Sequence, residues 1–143
     1  MAVMLISNFA QVVSAVEQSL PKQCLRACHA VRNEWVQGLT GTRSGRRYKV
    51  PGTGTKGVPG SGTYYTASAP GEAPARRLGD LVRSLRVMPR VTTGRIYARV
   101  GSGLEYAAFL EYGTRNMQPR PSLRPALDRA RPAIKAIFSE GLI

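Results

Sequence analysis

The middle of this chain is where a core is hardest to build. Of its 15 glycines and 10 prolines, 13 fall between Gly38 and Pro74. Such a stretch loses the most backbone freedom on ordering and offers few apolar side chains in return. The buried core therefore has to come from the flanks, and a length of 143 residues suits one domain rather than two. The expectation is a single domain over residues 1–143 with residues 45–68 as an extended, flexible arm.

The N-terminal flank carries the longest periodic pattern. Phe9, Val12, Val13, Val16, Leu20, Cys24, Ala27, Cys28, Val31 and Trp35 recur at spacings of three and four, which draws one apolar stripe along a helix. Pro21 removes a hydrogen bond inside that helix, so a kink is predicted there, or a second helix capped by Ser19 or Leu20. Gly38 and Gly41 end the pattern. The C-terminal flank mirrors it: Leu123, Leu127, Ala130, Ile134, Ile137 and Phe138 make an amphipathic helix, with Ser122 as its candidate cap and Pro125 tolerated in the first turn. Pro132 predicts a kink in it.

Between the flanks the period changes. Arg46-Arg47-Tyr48-Lys49-Val50 and Thr63-Tyr64-Tyr65-Thr66 are β-prone and bracket a Gly/Thr/Pro-rich tip, the pattern of a long hairpin arm. Leu78 to Leu85 can form two helical turns. Leu85, Val87 and Val91 then alternate as a strand, with Pro89 marking an edge, and Thr93-Gly94 is a turn candidate. Ile96, Ala98 and Val100 alternate with Tyr97 and Arg99 until Gly101-Ser102-Gly103 breaks the strand. Tyr106 to Tyr112 reads as a short helix stopped by Gly113. The predicted class is α+β: a long N-terminal helix kinked near Pro21 and a C-terminal helix, packed on a small antiparallel sheet, with a β-hairpin arm.

Charge narrows the partners. Lys and Arg number 21 against 8 Asp and Glu, a net charge of +13, and 17 of the cations are arginine. Guanidinium forks match phosphate or carboxylate oxygens in pairs, so a polyanion or an acidic protein surface is the expected neighbour. The arm holds Arg43, Arg46, Arg47, Lys49 and Lys56 with no acidic residue between Glu34 and Glu72. Its Arg46, Arg47, Tyr48, Lys49, Lys56, Tyr64 and Tyr65 are the candidate arm contacts. Arg76, Arg77, Arg83, Arg86, Arg90, Arg95 and Arg99 form a second basic block. No helix-turn-helix, zinc-finger or RNA-recognition signature accompanies these cations, so contact with nucleic acid would be to backbone phosphate and indifferent to sequence. No apolar run approaches the 18 residues of a spanning helix and no basic region precedes the first apolar stretch, so a soluble, non-secreted chain without membrane contact is expected.

Catalytic patterns find little support. Gly52-Thr53-Gly54-Thr55-Lys56-Gly57 spells G-x-G-x-x-G, but Pro51 before it and Val58-Pro59-Gly60 after it leave no helix start to cradle a pyrophosphate. Cys24, Cys28 and His29 are the only cysteines and histidine, too few for a tetrahedral zinc site, and the two cysteines fall on the apolar stripe as small packing residues. A nucleophile-histidine pair would need that one helix for everything, and only Glu72 with Asp80 and Glu105 with Glu111 are acidic neighbours within ten residues. A non-enzyme with no metal and no cofactor is expected.

One stretch carries a resemblance. Tyr106-Ala107-Ala108-Phe109-Leu110-Glu111-Tyr112-Gly113-Thr114, followed by Met117, Arg120-Pro121 and Leu123-Arg124-Pro125-Ala126-Leu127, resembles a signature of tailed-phage neck proteins, the tail-completion or head-tail joining family. Gly45-Arg46-Arg47-Tyr48, then Ser68-Ala69-Pro70-Gly71-Glu72-Ala73-Pro74, then Leu81-Val82-Arg83-Ser84-Leu85 look like its other blocks in order, so the similarity spans about residues 5 to 140. The chain departs from the family's pattern at Leu78-Gly79-Asp80, where a Thr-Gly pair is common, and at Pro132.

The resemblance implies an α+β protomer of a homo-oligomeric, hexameric ring at the virion neck, assembled in the host cytoplasm. Its implied partners are head-closure or connector proteins and tail terminator or tube proteins, with viral DNA passing through the lumen unread. Tyr106, Glu111, Gly113, Thr114, Arg120, Pro121, Arg124 and Pro125 are the implied assembly residues. Glu111 lies close in sequence to Arg120 and Arg124, which suggests ion pairs. Two alternatives stay open: a tail terminator ring, and a sequence-independent DNA-binding protein.

Overall fold

A computed structural model of the chain describes residues 2–76, 79–92 and 95–140. The side chains of Phe9 and Val12, the start of the short helical segment at Leu78, and the Thr93-Gly94 turn lie outside the described residues.

Helix α1, Ala2–Thr40, passes through Pro21 as one element, so no second helix starts at Ser19 or Leu20. At 1.5 Å per residue its 39 residues reach about 58 Å. The apolar stripe is continuous in the sequence, and among the described side chains burial is deepest in its C-terminal half. Ala27, Val31, Trp35 and Leu39, each four residues from the last, are buried, whereas Val13 is exposed.

What covers that half is α4, Leu123–Glu140, which also continues unbroken through its proline, Pro132. Trp35 meets Ser122, Glu34 meets Arg129 and Arg26 meets Glu140, so the two helices run antiparallel. Ala126, with no exposure at all, and Ala130 form the contact line. Leu127, expected in the stripe, is 41% exposed. Small residues let the helix backbones approach, and the larger side chain is turned to the flank of the contact.

Among the described residues two separate antiparallel ribbons complete the fold. The arm pairs β1, Arg47–Lys49, with β2, Tyr64–Thr66, in the register Tyr48 opposite Tyr65. Its tip is held by hydroxyls: Thr53 Oγ1 donates to the Val50 carbonyl, and Ser61 Oγ accepts from the Thr55 amide and donates to Val58. Gly45 makes the base of the arm possible. A Cβ there would lie 2.5 Å from the Ala67 carbonyl oxygen, which the Gly45 amide itself bonds at 3.0 Å. The second ribbon pairs β3, Leu85–Thr92, with β4, Arg95–Ser102, from Leu85 opposite Ser102 to Thr92 opposite Arg95. Both strands of such a ribbon are edges, where Pro89 can sit without breaking a ladder.

Short helix α2, Asp80–Ser84, leads into β3, and α3, Tyr106–Tyr112, follows β4. The core joins Trp35, Leu39, Leu81, Leu85 and Ala126, with Val36, Val82, Val100, Leu104, Ala107, Leu110 and Leu123 packed around them. The core is thus drawn from α1, α2, α3, α4 and one end of the second ribbon, and none of it from the arm.

Candidate assembly surface

The junction between α3 and α4 is built around one carboxylate. Glu111 Oε2 accepts the amides of Ser122 at 2.7 Å and Leu123 at 3.0 Å, and Oε1 accepts the amide of Arg124 at 2.9 Å. A helix starts with four amides that have no partner inside it. Here three go to Glu111, and the next position is Pro125, which has no N–H to satisfy. The Ser122 hydroxyl is left to accept Trp35 Nε1 at 2.9 Å, which ties the start of α4 to the buried face of α1.

Glu111 therefore meets the backbone of Arg124 rather than its guanidinium, and among the described residues it forms no ion pair with Arg120 or Arg124. The sequence suggested Ser122 as the cap. The carboxylate displaces it because α3 aims Glu111 along the axis of α4, where three amides and the positive end of the helix converge. Burial pushes the Glu111 carboxyl up, but the amides of Ser122, Arg124 and Leu123 and the Ser122 hydroxyl together outweigh it and hold the group below the usual carboxylate range.

Gly113 lets the chain leave α3. Its φ is 77°, and a Cβ would sit 2.8 Å from the Met117 carbonyl oxygen. Thr114 and Met117 then close a tight turn by exchanging backbone hydrogen bonds. The Arg120 amide bonds the Leu110 carbonyl at 2.7 Å and its Nη1 reaches Ser68 at 2.9 Å, while Gly71 donates to Pro119. Among the described residues Arg120 Nε is buried without a partner, and Arg120 lines a cavity of about 360 Å³ with Leu39, Tyr65, Leu81, Val82 and Leu110. Gly113, Arg120 and Pro125 thus act here on the fold of their own chain.

With α3 fixed on one side, its other side faces outward. Tyr106, Phe109 and Tyr112 are exposed, Phe109 by 55% and Tyr112 by 83%. Large aromatics gathered on one side of a seven-residue helix form an apolar patch of the kind that marks a contact site. The sequence reading singled out Tyr106 but not Phe109 or Tyr112, because a short helix shows no outer face until its inner one is known.

The arm presents a second surface. Tyr48 stacks on Tyr65 with ring centroids 5.8 Å apart, Arg46 lies 5.7 Å from the Tyr48 ring, and Arg47 lies 4.6 Å from the Tyr64 ring. Lys49 and Lys56 are exposed. Arg43 stays with the body, bonding the carbonyls of Gly38 and Pro74. The base is clamped by Glu72, which accepts from Ser44 and from the Ala69 amide at 2.9 Å. The Ser44 hydroxyl first, then the Ala69 and Ser44 amides, pull the Glu72 carboxyl down to about 2.

Cys24 and Cys28 are half-buried free thiols on α1, and His29 beside them is exposed. Burial, then the neighbouring Cys24, pushes the Cys28 thiol up, the opposite of what an activated nucleophile needs. No group of three metal-ligating side chains occurs among the described residues, and none of their helices is long and apolar enough to cross a membrane.

Comparison with protein families places a match on this region. Residues 61–113 match the family described as Bacteriophage HK97-gp10, putative tail-component. The matched stretch, shorter than half of the chain, begins before β2 and ends at Gly113, so it takes in α2, the second ribbon and the outward aromatics of α3. It agrees with the neck and tail-completion resemblance carried by the sequence blocks. No curated protein and no solved structure matches the chain.

Proposed function

We propose that this protein is a structural component of a tailed-phage tail, working at the head-tail junction as one protomer of a ring, hexameric by the resemblance, that completes the tail or joins it to the head. The observation that carries the reading is the match of residues 61–113 to a phage tail-component family. That stretch contains the three exposed aromatics of α3. In the ring, Tyr106, Phe109 and Tyr112 contact the next protomer or the adjoining ring, and the stacked tyrosines and cations of the arm reach a neighbour's acidic surface. The long α1 fits the same use, because Val13 in its N-terminal half is exposed and α4 ends opposite Arg26.

The work is adhesive rather than catalytic. Head-closure or connector proteins on one side and terminator or tube proteins on the other are the proposed partners, with no cofactor and with DNA passing through the lumen. The protein would be made in the host cytoplasm and retained in the virion neck. Particles assembled without this chain should accumulate as filled heads and separate tails, and labelled protein should appear at the neck by electron microscopy. Normal joined particles in its absence, or label elsewhere on the virion, would refute the proposal. A tail terminator would instead leave tails of uncontrolled length.

A further inference from the structure

We infer that the outer face of the β3–β4 ribbon binds the phosphate backbone of duplex DNA through Arg86, Arg90, Arg95 and Arg99. Side chains of a strand alternate between two faces, and the register sorts this ribbon cleanly. Leu85, Val87, Pro89 and Val91 share a face with Ser102, Val100, Ala98 and Ile96. The other face carries Arg86, Met88, Arg90 and Thr92 with Gly101, Arg99, Tyr97 and Arg95. All four arginines are exposed, and no carboxylate occurs from Leu85 to Ser102.

Their placement is ordered. Arg86 lies opposite Gly101, Arg99 opposite Met88, Arg90 opposite Tyr97 and Arg95 opposite Thr92, so each cation faces a neutral residue and none faces another. Like charges directly opposite would weaken the pairing. The result is a zigzag row with a step of two residues, about 6.8 Å, over a total of about 20 Å. Among the described residues none of the four pairs with an acid, and Arg99 rests 5.2 Å from the Tyr97 ring. DNA offers one phosphate per about 3.4 Å of axis on each strand, so the row is within reach of several phosphates.

Two features favour DNA over an acidic protein as the occupant. Arginine takes four of the eight positions on this face and no carboxylate stands among them, a field of one sign that suits a polyanion more than a protein surface of mixed charge. Guanidinium forks on a regular row suit a repeating anion and read no base. This inference does not depend on the place of the protein in a virion, since the isolated chain presents the same face.

The test is fluorescence anisotropy with a random-sequence 30-base-pair duplex across a salt series, using the full chain. Changing all four arginines to glutamine should weaken binding at low salt at least tenfold and reduce the slope of log K against log salt by about 3 to 4, since each lost phosphate contact removes about 0.9. The pairs R86Q/R90Q and R95Q/R99Q, which leave two cations each, should lose about half as much; they keep the test valid if the fourfold variant does not fold. Changing the arm cations Arg46, Arg47, Lys49 and Lys56 to glutamine should leave most of the slope in place. No DNA binding by the parent chain, a parent-like slope in folded ribbon variants, or polyglutamate binding as tight as duplex would overturn the inference.

Discussion

Glu111→Ala tests the account of the α3–α4 junction. The substitution removes an acceptor that holds three backbone amides and touches the Ser122 hydroxyl. Losing an ordinary N-cap costs about 0.5 to 2 kcal/mol, and a hydrogen bond to a charged group contributes about 1.5 to 3. The carboxylate is only half-buried, so water can reach the freed amides and the bonds cannot simply be added. About 2 to 3 kcal/mol is the expected loss, roughly 5 to 10 °C in melting temperature for a chain of this size. Glu111→Gln, which keeps one acceptor oxygen but turns a carboxamide NH2 donor toward a backbone N–H, should lose about 1 to 2 kcal/mol. Trp35 is the only tryptophan and bonds Ser122, so its fluorescence in a urea titration reports the junction directly. Because folding lowers the Glu111 pKa, its contribution is present above the ordinary value of 4.5 and is lost as pH falls through the folded one. Parent and Glu111→Ala curves should therefore converge in acid. A variant within 0.5 kcal/mol of the parent at neutral pH, or a gap that persists unchanged at low pH, would refute the reasoning.

Other outcomes can be checked separately. Glu72 should keep the base of the arm clamped from neutral pH through its ordinary value of 4.5 and release it as pH falls through about 2, seen as a shared titration of the Ser44 and Ala69 amide shifts; Glu72→Gln should abolish that titration. Gly113→Ala forces a side chain into a backbone of φ 77° against the Met117 carbonyl, and a loss of about 2 kcal/mol or more is expected in thermal unfolding. Replacing both Cys24 and Cys28 with Ala should cost about 1 to 3 kcal/mol and leave assembly intact, since both thiols are only partly buried; stoichiometric zinc in the parent protein, lost in the variant, would contradict this. Deleting Val50 to Thr63 removes the tip but not the clamp at Glu72, so circular dichroism should show a folded body while heads and tails fail to join.

Much of the secondary structure was legible because it depends on short-range spacing. The three-and-four stripe of α1, the alternation of Ile96, Ala98 and Val100, and the stop at Gly113 are local facts, and the structure follows them. So are the two prolines, though neither splits its helix: Pro21 and Pro132 each lie inside a continuous element. A proline removes one bond, and the remaining turns can carry the helix past it when packing holds both sides.

What the sequence by itself determined was the inventory: a core confined to the flanks, an arm too rich in glycine to join it, and a cationic surplus with no acid to absorb it. Only the tertiary structure decided how those parts meet. Glu111 is eleven residues from Ser122 and looks like an ion-pair partner until α3 is seen aimed at the start of α4. Leu127 belongs to the apolar pattern, yet Ala126 and Ala130 take the contact with α1, because the distance between two helices is set by both partners at once. The four ribbon arginines are scattered in the sequence and fall on one face only when the register pairs Arg90 with Tyr97 and Arg95 with Thr92. Periodicity is a property of one segment; register, crossing and capping are relations between two, and the energies that select them exist only once the second segment has arrived.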